Sequence, residues 1–212
     1  MLRGFDTNQR LTAPIAAALA ATGYQFACRY LRRSPNDQSL LKRNEAIILR
    51  DAGLRIVSVF QHRSNRPDLF TAENAALDAS AALARADELA QPRNSAIYFA
   101  CDCDFTPKTI KFALAYFEVV RRIVSGAKDL RGLAYGVGVY GDDLVLSEIC
   151  ARELADHAWL TNAKGWLDNR AFDDWDIKQT SLPHAPLPAA PAFEIDDDEA
   201  VGVEVAGLWR AR

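Results

Sequence analysis

Two carboxylates two residues apart close an apolar run, Ile97-Tyr98-Phe99-Ala100-Cys101-Asp102-Cys103-Asp104-Phe105-Thr106-Pro107. Read as a strand, the run alternates its side chains between two faces. Asp102 and Asp104 then share a face with Tyr98 and Ala100, and Ile97, Phe99, Cys101 and Cys103 take the other. Ligands of α/β folds bind at the C-terminal ends of parallel strands. Two neighbouring carboxylates there repel each other and are driven to different pKa values, which suits acid/base chemistry. The competing reading is structural: one aspartate caps the following turn and the other pairs with an arginine.

Further acids fall at expected strand ends: Asp6 on the first strand, Asp176 or its neighbours near the seventh and Asp196 on the last. In a closed barrel the first and last strands are neighbours, so Asp6 and Asp196 would sit side by side, with Asp102 and Asp104 facing them across the mouth. Such a mouth suits a glycosidase or a divalent cation site, and spacing alone does not separate the two. Tyr98 and Tyr140 are expected on inward faces of adjacent strands, and Trp159, Trp166 and Trp175 gather in the later segments, where rings can stack on sugars or simply pack. Gln179 and Asn8, at strand ends, are further candidate substrate-binding groups. Arg29 is expected to point into the barrel and to pair with Asp6, a structural role. Gly136-Val137-Gly138-Val139-Tyr140-Gly141 does not open a helix with GxGxxG spacing, so it is read as a strand whose glycines make room on the inner face rather than as a nucleotide loop.

The elements needed to position these residues alternate in order. Short apolar runs (Gly4 to Asn8, Gln25 to Leu31, Leu54 to Phe60, the acidic run, and Leu133 to Tyr140) are each followed by a helical stretch. Thr12-Ala13-Pro14 starts the first helix and Gly23 stops it; Gly53 stops the second, near Gln38 to Ala52. The third helix is the alanine-rich Thr71 to Leu89, Thr106-Pro107 opens a fourth to about Val124, and a fifth runs from Gly141-Asp142-Asp143 to about Leu154. Three strand-like segments follow with little helix: Ala158 to Leu160, Asp174 to Gln179 and Phe193 to Asp196, the last two separated by a proline-rich surface loop, Ser181 to Ala192. The expected fold class is α/β, a TIM-like irregular (β/α) barrel of five β/α units followed by about three strands, as one domain over residues 1–212.

Composition narrows the function. The net charge of −3 and the scattered basic residues argue against a nucleic-acid partner. No run reaches the roughly 18 to 20 apolar residues of a membrane span. The start, Met1-Leu2-Arg3-Gly4-Phe5-Asp6, passes at once into polar sequence rather than a signal-peptide core, so the chain is expected to be made in the cytoplasm as a soluble protein. Acting outside the cell would then need a dedicated export system, lysis or a fusion partner. The four cysteines, Cys28, Cys101, Cys103 and Cys150, lack metal spacing and are read as thiols of the core. The isolated histidines, His62, His157 and His184, make no zinc motif. No cofactor is expected, and a divalent-metal hydrolase remains an alternative use of the carboxylates.

Gly4-Phe5-Asp6, Arg29-Tyr30-Leu31, Tyr98 to Asp104, Gly136 to Gly141, Trp175-Asp176-Ile177-Lys178-Gln179 and Glu194-Ile195-Asp196 together resemble the glycoside hydrolase-like domain of unknown function 1906. That domain is similar to family 25 lysozymes, which cleave the bond between N-acetylmuramic acid and N-acetylglucosamine in peptidoglycan. The resemblance covers nearly the whole chain and implies the same irregular barrel and a peptidoglycan-type glycan as partner. It puts Asp6, Asp102 and Asp196 on acidic positions around the lysozyme site, and Asp104 where those lysozymes carry their general-acid glutamate. It implies that Asp104 protonates the glycosidic oxygen while Asp102 stabilises an N-acetyl group acting as internal nucleophile. Here the chain departs from the pattern: an aspartate reaches roughly 1 to 1.5 Å less far than a glutamate, and a misplacement of about 1 Å can cost on the order of 100-fold in rate. A non-catalytic glycan-binding domain on the same scaffold is therefore the alternative to an enzyme.

Overall fold

The computed structural model describes residues 1–163, 166, 172–180 and 192–212. Eight strands close one barrel in sequence order: β1 (Leu2–Asp6), β2 (Phe26–Leu31), β3 (Arg55–Phe60), β4 (Ala96–Ala100), β5 (Gly136–Gly141), β6 (His157–Leu160), β7 (Ile177–Gln179) and β8 (Asp196–Ala200). Neighbours from β1 to β7 run parallel, whereas β8 is antiparallel to both β7 and β1. Helices α1 (Ala13–Ala21), α2 (Arg43–Asp51), α3 (Ala72–Glu88), α4 (Ile110–Gly126) and α5 (Asp143–Cys150) connect the first six strands. This is the expected irregular barrel of five β/α units and three further strands.

Local chemistry explains most boundaries. Gly23 and Gly53 follow α1 and α2 with φ of +97° and +85°, a region that glycine occupies without steric cost. Thr71 and Asp142 cap α3 and α5 by accepting from the Asn74 and Val145 amides. The buried face of α3 is Ala75, Asp78, Ala79, Ala82 and Ala86, a helical stripe of small side chains against which α4 packs, with the Tyr116 hydroxyl of α4 donating to Asp78 at 2.9 Å. Thr12 takes the N-cap position of α1, but its hydroxyl makes no capping bond.

Boundaries differ from the sequence reading at several elements, three of them near the mouth. α4 starts at Ile110 rather than at Thr106-Pro107, because the Thr109 hydroxyl accepts from the Thr106 amide at 2.8 Å and folds these residues into a separate turn. β4 ends at Ala100, so Asp102 and Asp104 belong to the connection that follows it. The last strand begins at Asp196 instead of ending there. Residues 181–191 of the proline-rich segment, with His184, lie outside the described residues.

Two cores follow from strand alternation. Phe26, Cys28, Val57, Val59, Tyr98 and Trp159 fill the barrel, and Ala27, Leu31, Ile97, Phe99, Val137 and Val139 face the helices. The β5 glycines make the room expected of them: a Cβ on Gly138 would run into the Tyr98 ring, one on Gly136 into His157. Cys28, Cys101 and Cys103 are buried free thiols, and Cys150 is a half-buried one. Arg29 corrects the sequence reading. It faces the helices rather than the interior, is 0% exposed, and its Nε donates to Glu45 Oε1 at 2.8 Å, not to Asp6. Its other nitrogens reach the Thr7 and Ser39 carbonyls.

Candidate functional site

The C-terminal mouth of the parallel strands opens into a pocket of about 160 Å³ lined by Asp6, Tyr30, Val59, Gln61, Ala100, Asp102, Tyr140, Trp159, Gln179 and Asp196. It is smaller than the roughly 300–1,000 Å³ of drug-sized ligand sites, a scale suited to one sugar-sized group at its floor. Asp6 ends β1 and is the register partner of Asp196. Because β8 runs antiparallel, its first residue lies at the same rim as the last residue of β1, which is how a residue starting a strand reaches the mouth.

Asp6 is 6% exposed and held by two donors. Gln179 Nε2 donates to its Oδ2 at 2.9 Å and the Tyr30 hydroxyl to its Oδ1 at 3.3 Å. Burial first, and then the charge of Asp196, push its carboxyl up to about 7, although Gln179, Tyr30 and Arg29 favour the ionised form. Gln179 Oε1 in turn accepts from the Tyr140 hydroxyl at 3.2 Å and the Asn162 amide at 3.3 Å, so the amide is fixed in the orientation that offers its NH2 to Asp6. Tyr140 Oη and Thr161 Oγ1 are 2.8 Å apart. On the opposite side, Asp102 accepts from Gln61 Nε2 at 2.8 Å, and burial raises its carboxyl above the ordinary value.

Beneath the pocket, Asp198 is 1% exposed and accepts from Trp159 Nε1 at 3.0 Å and from the Cys28 thiol at 3.7 Å. Burial, and then the charge of Asp6, drive its pKa well up. Trp159 packs edge-on against Tyr140 with centroids 4.8 Å apart, so Asp198 anchors an aromatic wall of the pocket.

The structure thus brings Asp6, Asp102, Asp196, Tyr140 and Gln179 together in one pocket. Asp104 is half-buried on the same connection as Asp102 but outside the pocket lining. Tyr98 points inward as expected, yet it is 0% exposed and its hydroxyl donates to the Ala206 carbonyl, so it fills the barrel and offers no surface at the mouth. Trp175 packs on the outer core under Lys178, whose Nζ is 5.6 Å from the ring centroid. Asn8 is exposed beyond β1 and away from the pocket lining. Asp176 precedes β7, at the opposite end of the barrel, and there its carboxylate accepts from the Ala158 amide at 2.9 Å. Trp166 is half-buried and is not among the lining residues.

Sequence reading missed Tyr30, Gln61 and Asp198. Placing Arg29 inward forced Tyr30 outward, whereas Phe26, Cys28 and Tyr30 alternate as the inner face of β2. Asp198 lies two residues from Asp196, and the period of a strand could have found it. Among the described residues, no group of three or more His, Cys, Asp or Glu side chains is arranged to hold a metal ion.

Fold and mouth together define a glycoside hydrolase-like barrel. The chain belongs to the family described as Rv2525c-like, glycoside hydrolase-like domain, whose model matches residues 17–202. It is 24% identical over 206 residues to the uncharacterized protein FadG of Bacillus subtilis, a match that takes in 94% of this chain but only 35% of FadG. The chain therefore spans about a third of that relative's length. Among solved structures, the Tat-secreted protein Rv2525c of Mycobacterium tuberculosis superposes with a TM-score of 0.71 at 17% identity, covering 98% of both chains. A muramidase from Acremonium alcalophilum superposes with a TM-score of 0.60 at 12% identity, covering 98% of this chain and 100% of that one. Among the described residues no helix is long and apolar enough to cross a membrane.

Proposed function

We propose that this chain is a glycosidase, a single barrel domain acting on peptidoglycan-type N-acetylated glycans in the manner of a muramidase. The observation that carries the reading is the convergence of Asp6, Asp102 and Asp196 with the polar tips of Tyr30, Tyr140 and Gln179 in one pocket at the barrel mouth. In this reading Asp102, oriented by Gln61, steadies the acetamido group of the bound sugar as its carbonyl oxygen attacks the anomeric carbon. Asp104 gives its proton to the departing glycosidic oxygen, and water then opens the intermediate. Asp6 and Asp196 hold the polar partners of the pocket in place and tune their pKa values. The fold shared with the Acremonium muramidase supports the glycan, and the Tat secretion of the similar mycobacterial protein supports a place of action outside the cytoplasm.

The second reading, a glycan-binding domain without catalysis, is favoured by one observation: Asp104 is a short side chain outside the pocket lining. Incubating the protein and its Asp102→Asn and Asp104→Asn variants with purified peptidoglycan, followed by mass spectrometry of soluble fragments, separates the two. Saccharide fragments from the native protein, lost in both variants, support the enzyme. No fragments, with all three proteins sedimenting with the sacculus, make it a binder.

A further inference from the structure

The N-terminal ends of the parallel strands, at the far end of the barrel from the mouth, hold a second cavity. It measures about 480 Å³, against about 160 Å³ at the mouth, a size within the range of sites that enclose small ligands. Arg55, the first residue of β3, forms one wall, and Asn94 and Ser95, on the turn into β4, form another. Glu204, Trp209 and Arg210 of the segment after β8 complete it. These walls are tied to the barrel. Ile56 and Trp209 exchange backbone hydrogen bonds of 2.8 and 3.0 Å, and the Ala96 amide donates to the Gly207 carbonyl at 3.0 Å. Gly207 has φ of +65°, and a Cβ there would meet Ala96 at 2.4 Å, so this approach of the last segment to β4 requires glycine. Behind the wall, Trp209 Nε1 donates to Ser58 Oγ at 3.1 Å, Ser58 to Gln91 Oε1 at 2.7 Å, and Gln91 Nε2 to Ser95 Oγ at 2.9 Å, a buried polar chain that fixes both sides of the cavity.

The charge inside this cavity is unbalanced. Arg55 and Arg210 both line it, and NH2 of Arg210 donates to the Gly53 carbonyl at 3.2 Å, which holds that guanidinium over the start of β3. Among the described residues neither arginine forms an ion pair with a carboxylate. Glu204 is exposed at the rim and pairs with neither. Burial first, and then the charge of Arg210, hold the Arg55 guanidinium below its ordinary pKa, with no carboxylate acting against them. Two like charges kept within reach of each other in one cavity repel until an anion stands between them.

We propose that the cavity at the closed end of the barrel binds a phosphate ester, with Arg55 and Arg210 on its phosphate. One guanidinium fork saturates a carboxylate, whereas a phosphate has oxygens enough to accept from both arginines at once. Asn94, exposed on the same wall, offers amide donors and an acceptor to hydroxyl groups on the body of the ester. The phosphate can belong to a small polyol or sugar phosphate or to one unit of a repeating phosphodiester polymer; both present the same group to the two arginines. The site lies at the opposite end of the barrel from Asp6, Asp102 and Asp196, so it stands apart from the reaction proposed at the mouth.

The test is calorimetric titration at low salt with glycerol phosphate, with glycerate as a carboxylate of similar size, and with a short poly(glycerol phosphate). The native protein is expected to bind both phosphates, and glycerate about ten-fold more weakly. Arg55→Gln and Arg210→Gln are each expected to weaken glycerol phosphate about ten-fold, the loss of one charge-assisted contact. Glu204→Gln should strengthen it by removing the negative charge at the rim. Arg10→Gln makes the same change of net charge on the β1–α1 connection, at the mouth end, and should leave binding unaltered; melting temperatures report that each variant is folded. Tighter binding of the polymer per phosphate identifies the repeating source, and equal binding per phosphate identifies the small ester. Absence of binding of either phosphate up to about 10 mM, affinity unchanged in both arginine variants, or a loss shared by Arg10→Gln overturns the site. Equal affinity for glycerate and glycerol phosphate overturns the assignment to phosphate.

Discussion

Replacing Asp6 with asparagine should stabilise the protein increasingly as pH rises. Its carboxyl is pushed up to about 7 from an ordinary value of 3.8. Below about pH 4 the group is protonated in both folded and unfolded chains and contributes nothing. Between there and pH 7 the unfolded chain has released its proton while the folded protein keeps it, so the folded state loses ground with every step upward. The whole displacement corresponds to about 4 kcal/mol, of which about 2 kcal/mol falls between pH 5 and pH 7. Asparagine keeps the shape of the side chain without the charge, and Asp198, pushed in the same direction by Asp6, relaxes in the same variant. Urea denaturation of both proteins at pH 5 and pH 8 should show the variant gaining about 3 kcal/mol on the native protein across that interval. By thermal melting the gain is roughly 6 to 12 °C for a chain of this length. Activity in the Asn variant should fall, so stability and function move in opposite directions. A difference between the two proteins that stays constant with pH would refute the argument, because it would mean that Asp6 is ionised in the fold at no cost.

Asp104→Glu restores the missing methylene of the expected acid, and release of saccharide fragments from peptidoglycan should rise on the order of 100-fold; no change would remove Asp104 from the reaction. Glu45→Gln leaves Arg29 buried beside a neutral partner, and urea denaturation should record a loss of about 3–5 kcal/mol. The paired replacement Arg29→Met with Glu45→Leu should recover most of that loss, since an apolar pair of similar volume replaces the buried charges. Gly138→Ala drives a methyl group into the Tyr98 ring and should cost about 1–3 kcal/mol by the same measurement, with Tyr98→Leu in the same chain relieving the clash.

The order of elements was legible because periodicity, caps and glycine stops all act within a few residues of the positions they control. Gly23, Gly53, the alanine stripe of α3 and the Asp142 cap each mark an element whose position the structure bears out. Facing was harder. Nothing within Phe26–Leu31 says which side of an apolar strand meets helices and which meets the barrel interior, since both are buried. Arg29 looked like a partner for Asp6, but its answering charge, Glu45, comes from α2, and only the packing of that helix on β2 brings them together.

The same limit applied at the mouth, and there it hid chemistry. That Asp6 and Asp196 are neighbours followed from barrel closure, but the direction of β8 did not, and direction decides which residues stand beneath them. Running antiparallel, β8 descends from Asp196 at the rim to Asp198 under the pocket, where Trp159 and Cys28 supply its hydrogen bonds. Two carboxyls on one strand thus receive opposite surroundings, one at the open rim and one sealed beneath the mouth. Asp6 lies between them, and burial first and then the charge of Asp196 hold its own proton to about neutrality. If that arrangement governs the site, Asp196→Asn should lower the Asp6 pKa by removing the like charge beside it. The stability gain of Asp6→Asn at pH 8 should then be smaller when measured in the Asp196→Asn background. A gain of equal size in both backgrounds would show that burial alone sets the Asp6 proton and that the rim carboxylate takes no part.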